Sequence, residues 1–291
     1  MISFATTFNQ KLFECTGVHS VNSFLQHQIG TDTMYIGYEG MEDFRSPWLK
    51  RQLIAKDISD SPMLTKWERD NADIIPTIMG GDADPSVCKC DSLDSSLTTL
   101  NKHIPGCPYT YFNSRASKWF RKLVTLQWVI QECESDYLFW IDSDCLFKKT
   151  ITEEYVHEVF GSNDIIYSYG ESQKQGVASV ETGFIGFKRP FTFIEDWIEF
   201  YISGEFRKEP RWDDSWSFTK LIERKDYNAR DMIEGVFYPP GVSCVVACGP
   251  FKDHITHYRG IHVERNATPD GFVDLIPDVI KGGLKKHKRY G

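Results

Sequence analysis

Residues 137–147 read YLFWIDSDCLF, an apolar run that ends in two aspartates, Asp142 and Asp144. Successive apolar residues of this kind are typical of a strand that is buried on both faces. On an extended chain the side chains at positions i and i+2 project from the same face, and carboxylate oxygens are ligands for hard divalent cations. The stretch therefore predicts a metal site whose cation could bind a diphosphate. The competing interpretation is a turn or a helix cap, in which Asp and Ser are also common.

The composition is that of an ordinary globular protein of 291 residues, with 41% apolar and 25% charged residues. A net charge of −8 disfavours a general nucleic-acid surface. The sequence has neither the roughly 20 successive apolar residues of a membrane helix nor a secretory signal pattern. We therefore expect a cytoplasmic protein with no nucleic-acid partner and no membrane span. The eight scattered cysteines favour free buried thiols over a structural zinc site.

Strand and helix patterns alternate along the chain, which predicts an α/β fold with a mixed, mostly parallel central sheet flanked by helices. Ligands of such sheets bind beyond the carboxyl ends of the strands. Strands are predicted at 2–8, 33–38, 74–78, 137–141, 165–168 and 184–187, and helices at 20–28, 47–56, 116–133, 153–160, 190–202 and 215–224. Residues 80–108 are predicted to form a long irregular loop, a feature that often acts as a lid or a binding loop.

A basic face is predicted on the helix that precedes the aspartate strand. Arg115, Lys118 and Lys122 stand at i, i+3 and i+7, so they share one side of that helix. A lysine directed at the carboxyl edge of the sheet could neutralise a phosphate or a leaving diphosphate. A solvated basic surface is the competing interpretation.

Two further segments offer groups that suit sugar chemistry. Gly183 permits a close approach of a ligand to the backbone, or it is a glycine turn that leads into a strand. Asp213 and Asp214 follow Trp212 ahead of a predicted helix. They could orient a sugar hydroxyl or accept its proton, or they are acidic residues that favour the positive end of a helix dipole.

A neutral imidazole would complete a carboxylate site and would favour manganese over magnesium. His254, His257 and His262 compete for this role, and residue type alone does not separate them. A structural or surface histidine is the competing interpretation for each.

Taken in order, these segments resemble the GT-A glycosyltransferases that use nucleotide sugars. Thr6-Thr7-Phe8-Asn9 resembles the nucleotide-contacting segment of the glycogenin-like group, family 8. Lys122 and the Asp142-Ser143-Asp144 strand are similar to the helix and the D-x-D strand of that group. The sequence motif Trp-x-Asp-Ser-Asp-x-Leu-Phe at residues 140–147 is still more similar to the plant galactosyl- and xylosyltransferases of family 34.

The remaining likeness lies in the second half of the chain. Thr182-Gly183, Arg189 and Asp196-Trp197 are similar to family 34, while Glu181 stands where those families usually have Asn. Asp214 likewise stands where family members have Gln. Residues 256–260 are similar to the His-Phe-x-Gly segment whose histidine closes the metal site, which favours His257. The resemblance implies a GT-A domain over residues 1–265, followed by a C-terminal extension over 266–291 with a basic tail.

The resemblance implies a Rossmann-like enzyme that transfers a hexosyl or pentosyl group from a nucleotide-diphosphate sugar, in particular a UDP-sugar, to a hydroxyl of a glycan, a protein or a small molecule. Its cofactor would be Mn2+ or Mg2+, held by Asp142, Asp144 and His257. Lys122 would assist the leaving group. The residues expected to contact the nucleotide sugar are Thr6, Thr7, Asn9, Lys122, Asp142, Ser143 and Gly183.

Whether the reaction inverts or retains the anomeric configuration depends on the roles of Asp213 and Asp214. Asp213 or Asp214 is expected to face the transferred sugar or the acceptor. If Asp214 were a general base, the reaction would invert the anomeric centre, whereas the likeness to families 8 and 34 implies retention without such a base. We therefore favour retention.

Two other functions fit parts of the pattern. A phosphotransferase of the haloacid dehalogenase type also carries D-x-D after an apolar strand, with the first Asp as nucleophile. Leu146 stands where that class usually has Thr or Val, and this interpretation leaves His257 unused. The second alternative is a non-catalytic nucleotide- or carbohydrate-binding module on the same scaffold.

Overall fold

The computed structural model describes residues 1–28, 32–41, 52–73, 107, 113–172, 177–234 and 245–257. These residues belong to two compact units that alternate along the chain. The first unit comprises Met1–Asp57, Cys133–Arg189 and Asn228–Gly291, and the second comprises Ile58–Glu132 and Pro190–Tyr227. The predicted strand at 74–78, nearly all of the loop at 80–108, His262 and the extension at 266–291 lie outside the described residues.

The first unit is built on the mixed, mostly parallel sheet that the sequence predicts, and this prediction is confirmed. The described strands are β1 (Ile2–Asn9), β2 (Thr33–Glu39), β3 (Leu53–Asp57), β4 (Tyr137–Ile141), β5 (Cys145–Phe147), β6 (Ile165–Ser172), β7 (Val177–Lys188), β8 (Ala229–Asp231) and β9 (Ile255–His257). Seven of them lie in the order β3-β2-β1-β4-β7-β6-β8, while β5 and β9 form a separate pair. All neighbours in the large sheet are parallel except the two pairs that involve β7.

Helices occur in both units, and five of the six predicted ones are confirmed to within two residues at either end. The first unit contains α1 (Gln10–Leu12), α2 (Val18–His27) and α5 (Glu153–Phe160), and the second contains α3 (Pro62–Asp70), α4 (Ala116–Glu132), α6 (Thr192–Ile202) and α7 (Asp214–Arg224). Apolar residues of α2 and α5 share one core with the strands of the first unit. Within the part of the chain that is described, no helix combines the length and the apolar character that crossing a membrane requires.

The helix predicted at 47–56 is wrong at its carboxyl end, where the chain forms strand β3. Leu53 is buried and Ile54 is exposed, the alternation of a strand with one covered face. β3 pairs in parallel with β2, with Leu53 opposite Met34. Because that partner lies about twenty residues earlier in the chain, a local helical pattern could not reveal the pairing.

The centre of the first unit is a cluster of phenylalanines around Phe139 in β4. The Phe139 side chain is fully buried, and its ring stacks on Phe4 and Phe184 with centroids 5.6 and 5.4 Å away. Phe160 and Phe251 meet the same ring edge-on at 5.9 and 5.5 Å. These contacts fix the strand that leads into the aspartates, so the position of Asp142 depends on aromatic packing.

Replacing Phe139 with alanine should therefore destabilise the protein strongly. We expect Phe139→Ala to lower the free energy of unfolding by about 3–5 kcal/mol, because it leaves a cavity among four rings. Urea denaturation followed by tryptophan fluorescence measures the change. Leu12→Ala, at a position that is 37% exposed, is the control and should change stability by less than about 0.5 kcal/mol. A loss for Phe139→Ala no larger than that of the control would contradict this packing.

Candidate active site

The two aspartates lie in a tight turn at the carboxyl end of β4. The backbone N–H of Asp142 donates to the carbonyl of Gly183 at 2.8 Å, and the N–H of Cys145 donates back to the carbonyl of Asp142 at 3.0 Å. The extended chain assumed for Asp142 and Asp144 is therefore wrong, since the backbone turns between them. The Asp142 side chain accepts a hydrogen bond from the indole Nε1 of Trp140 at 2.8 Å.

Asp144 meets His257 directly. Nε2 of His257 lies 3.1 Å from Oδ1 of Asp144, and these side chains are 4% and 14% exposed. Strand pairing places them together, because Cys145 at the start of β5 stands opposite His257 at the end of β9. By contrast, His254 stacks on the ring of Tyr155 at 4.6 Å. Of the two candidate histidines that the structure describes, the one that the resemblance favours, His257, is therefore the one that contacts the aspartate turn.

A third potential ligand, Cys145, belongs to the same cluster. The ligand atoms of Asp144, Cys145 and His257 all lie within 4.8 Å of one another. The sulfur of the buried Cys145 also donates to the carbonyl of Gly183 at 3.4 Å. Sequence reasoning missed this residue because its place beside His257 is set by the β5–β9 pairing, and the only local signal was its position next to Asp144.

Gly183 makes room for the histidine ring. A Cβ atom built on Gly183 would lie 2.3 Å from Cε1 of His257 and 2.9 Å from its Nδ1. The close approach that the sequence predicted at this glycine is thus made by an imidazole. The N–H of Gly183 also donates to the Glu181 carboxylate at 3.3 Å. Any larger side chain at position 183 must displace His257.

Gly183→Ala should therefore weaken binding of the metal that the sequence predicts, without unfolding the protein. The new methyl group pushes the imidazole away from Asp144, so we expect the affinity for Mn2+ to fall by about 10–100-fold, the range seen when the support of a metal ligand is lost. Isothermal titration calorimetry measures this, with circular dichroism as the check on folding. The control is Gly249→Ala, whose nearest neighbour would be Ile233 at 3.3 Å. Equal Mn2+ affinity in both variants would contradict the role of Gly183.

Strand β1 carries the residues that are predicted to contact the nucleotide, and it ends at the same edge of the sheet as the aspartate turn. β1 is parallel to β4 with Ala5 opposite Trp140, so the residues that follow Ala5 run beside those that follow Trp140. The Thr6 hydroxyl is buried and makes no hydrogen bond to any described residue. The Thr7 hydroxyl donates to the carbonyl of Gly37 at 3.0 Å.

Asn9 and Ser143 have structural partners at this edge. The side chain of Asn9 accepts from the N–H of Leu12 at 2.9 Å and so caps α1. The hydroxyl of Ser143 lies 3.0 Å from that of Thr16. These contacts order the chain around the aspartate turn, and nucleotide binding by Thr6, Thr7, Asn9 and Ser143 stays a prediction.

Lys122 is a buried residue of the second unit, paired with Asp214. Its ammonium contacts the carboxylate of Asp214, and each side chain is only 6% exposed. Lys118, which was predicted to share its face, is exposed and lies against the ring of Trp119. The interpretation as a solvated basic face is therefore wrong for Lys122. Its use on a leaving diphosphate stays a prediction.

Asp213 forms a second ion pair at the start of α7. Both of its carboxylate oxygens accept from Arg211, at 2.9 and 2.7 Å. Burial raises the pKa of the Asp213 carboxyl, while the charge of Arg211 acts to lower it. Asp213 and Asp214 begin the helix, where acidic residues favour the positive end of the dipole. Both aspartates thus have a structural role in the second unit.

The Lys122–Asp214 pair should contribute to stability mainly because neither charge can be left alone. We expect Lys122→Met to lower the free energy of unfolding by about 3–5 kcal/mol, since it leaves a buried carboxylate without its partner. The double variant Lys122→Met/Asp214→Leu should recover most of that loss, because it removes both charges.

Chemical denaturation of the two variants measures this loss and recovery of the free energy of unfolding. Lys66→Met is the control, because Lys66 and Asp70 form an exposed pair worth about 0–1 kcal/mol. A double variant no more stable than Lys122→Met alone would show that the loss has another cause.

No protein-family model and no curated protein matches this chain. Its fold is similar to that of solved structures. Mouse xyloside xylosyltransferase 1 in its apo form is 10% identical over 79% of this chain and 85% of that chain, with a TM-score of 0.46. An active-site mutant of LgtC is 9% identical over 98% and 95%, also at 0.46. The glycosyltransferase GlyE of Streptococcus pneumoniae TIGR4 is 12% identical over 80% of this chain and 45% of its own, at 0.38. At identities of 12% or less and TM-scores below 0.5, these likenesses carry no argument about the function of this chain.

Proposed function

We propose that this protein is a metal-dependent glycosyltransferase that transfers a sugar from a nucleotide-diphosphate sugar, a UDP-sugar in particular, to a hydroxyl acceptor. The observation that supports this most is the contact of Asp144 with His257, 3.1 Å apart at the carboxyl end of a central strand. This edge is where α/β sheets bind their ligands.

The side chains at this edge suit a divalent cation. A carboxylate oxygen and an imidazole nitrogen already face each other with little exposure to water, and manganese accepts both kinds of ligand. Asp144 and His257 would hold the metal, and Asp142 is the third ligand that the sequence predicts. A bound cation would supply positive charge where negative charge develops on the departing diphosphate.

The chain's own residues would position the donor around that site. Gly183 keeps His257 against Asp144, and the indole of Trp140 holds one oxygen of Asp142. Ser143, Thr6, Thr7 and Asn9 would line the nucleotide, since β1 runs parallel to β4 and ends at the same edge.

The sequence also predicts catalytic roles for Lys122, Asp213 and Asp214. Asp214 is ill suited to act as a general base, because protonating it would leave the buried ammonium of Lys122 without a counter-ion, at a cost of about 3–5 kcal/mol. We therefore favour retention of the anomeric configuration. Lys122 would stabilise the leaving group, with its charge held in place by Asp214.

The two alternative functions receive less support. A phosphotransferase needs an Asp142 oxygen for nucleophilic attack, and it gives no use to the contact of His257 with Asp144. A non-catalytic module would bind the donor in the same place without turnover. Only measured turnover separates that module from an enzyme.

The direct test is a panel of nucleotide sugars incubated with the protein and Mn2+, with release of the free nucleotide as the readout. We expect at least one UDP-sugar to be hydrolysed slowly without an acceptor. Asp144→Asn should lower that rate by about 100-fold or more, because charge stabilisation at the leaving group is lost. Asp164→Asn, at an exposed aspartate of the same unit, is the matched control and should keep the wild-type rate.

Three results would overturn the proposal. Donor binding without hydrolysis under any cation would indicate a binding module. Phosphate release from an intermediate on Asp142 would indicate a phosphotransferase. Equal rates in Asp144→Asn and Asp164→Asn would place the chemistry elsewhere. When an acceptor is found, the anomeric configuration of the product, measured by nuclear magnetic resonance, should be that of the donor.

A further inference from the structure

The cluster at the aspartate turn contains a sulfur atom that the proposed function does not use. Sγ of Cys145 lies within 4.8 Å of the ligand atoms of both Asp144 and His257. These three atoms come from one turn and one pair of antiparallel strands, in which Cys145 stands directly opposite His257. Residues in that relation have Cβ atoms about 4.5–5.5 Å apart, close enough for both side chains to reach one ion.

The three groups are already ordered in the protein. Cys145 is fully buried and His257 nearly so, and Gly183 confines both of them. Its missing side chain leaves space for the imidazole, and its carbonyl accepts the weak hydrogen bond of the thiol at 3.4 Å. A thiol is a weak donor, so a metal ion would replace a contact of little energy.

One oxygen, one nitrogen and one sulfur ligand form a set with a clear metal preference. Thiolate and imidazole select zinc and similar borderline ions, whereas Mg2+ demands near-octahedral oxygen coordination. A thiolate and a carboxylate also neutralise the two charges of a divalent ion in a buried place. Three protein ligands with an open fourth position are the pattern of catalytic zinc sites, and the open position suits a diphosphate oxygen.

We propose that Cys145 is a metal ligand, and that Asp144, Cys145 and His257 form an oxygen–sulfur–nitrogen site that prefers Zn2+ or Co2+ and excludes Mg2+. The inference rests on the proposed function only for the use of the metal, since ion binding needs no sugar donor. Asp142 is not a required ligand in this site, because it is not a member of the group whose ligand atoms lie within 4.8 Å of one another.

Cobalt spectroscopy tests this directly in the full-length, reduced protein. A thiolate bound to Co2+ gives an intense near-ultraviolet charge-transfer band, which oxygen and nitrogen ligands do not give. We expect that band in the wild type, its loss in Cys145→Ser, and its retention in Asp142→Asn. The matched control is Cys133→Ser, at a buried cysteine outside the cluster, which should keep the band.

Affinity and X-ray absorption complete the test. Cys145→Ser should lower the affinity for Zn2+ by more than about tenfold, since even the loss of a group that only supports a metal ligand costs about that much. The same substitution should lower the affinity for Mn2+ less. Zinc bound to the wild type should show one sulfur neighbour at about 2.3 Å. This measurement needs no variant, so a folding defect in Cys145→Ser would not weaken it.

Two outcomes would overturn the inference. A cobalt band that persists in Cys145→Ser would assign the sulfur to another cysteine. A stoichiometric metal with no sulfur neighbour in the wild type would leave the aspartates and His257 as the site. Either result is compatible with nucleotide-sugar hydrolysis, whereas a sulfur-bound metal without hydrolysis would contradict only the proposed enzyme activity.

Discussion

The contact between Asp144 and His257 depends on three separate parts of the first unit. β4 delivers the aspartate turn, the β5–β9 pair brings the histidine to it, and Gly183 on β7 leaves the space that the imidazole fills. A carboxylate and an imidazole that are both nearly excluded from water stabilise each other, and the same groups can exchange that contact for a shared cation. The proposed chemistry therefore depends on strand packing as much as on the D-x-D residues.

In the second unit, buried charged side chains are paired with side chains of opposite charge. Lys122 and Asp214 neutralise each other, as do Arg211 and Asp213, so α7 begins with two compensated carboxylates. Pairs of this kind are costly to break and contribute little net stability. A lysine that is held by a buried carboxylate presents its charge in a fixed place, which suits electrostatic stabilisation of a leaving group better than proton transfer.

The sequence predicted those features that depend on local pattern. The apolar run of β4 and the helical periodicity of α4, α5 and α7 each lie within one segment, so the strand and helix positions could be inferred residue by residue. The mixed sheet followed from their alternation. His257 was favoured by a resemblance, and the structure places it beside Asp144.

The features that the sequence did not predict depend on contacts between residues that are far apart in the chain. β3 was read as a helix because its partner β2 lies elsewhere in the chain. Cys145 was read as an ordinary buried thiol, since only the β5–β9 register puts its sulfur beside His257. Gly183 was interpreted either as a place of close ligand approach or as a glycine turn that leads into a strand, whereas its close neighbour is the His257 side chain. In each case the deciding contact joins residues that are distant in sequence, which composition and periodicity do not encode.

A crystal structure of the protein with UDP and Mn2+, with anomalous scattering to locate the metal, tests the central claim most directly. We predict one ion bonded to Asp144 and His257, with oxygens of the UDP diphosphate completing its coordination. Diphosphate bound with no metal between these two side chains, or a metal bound far from the aspartate turn, would contradict it.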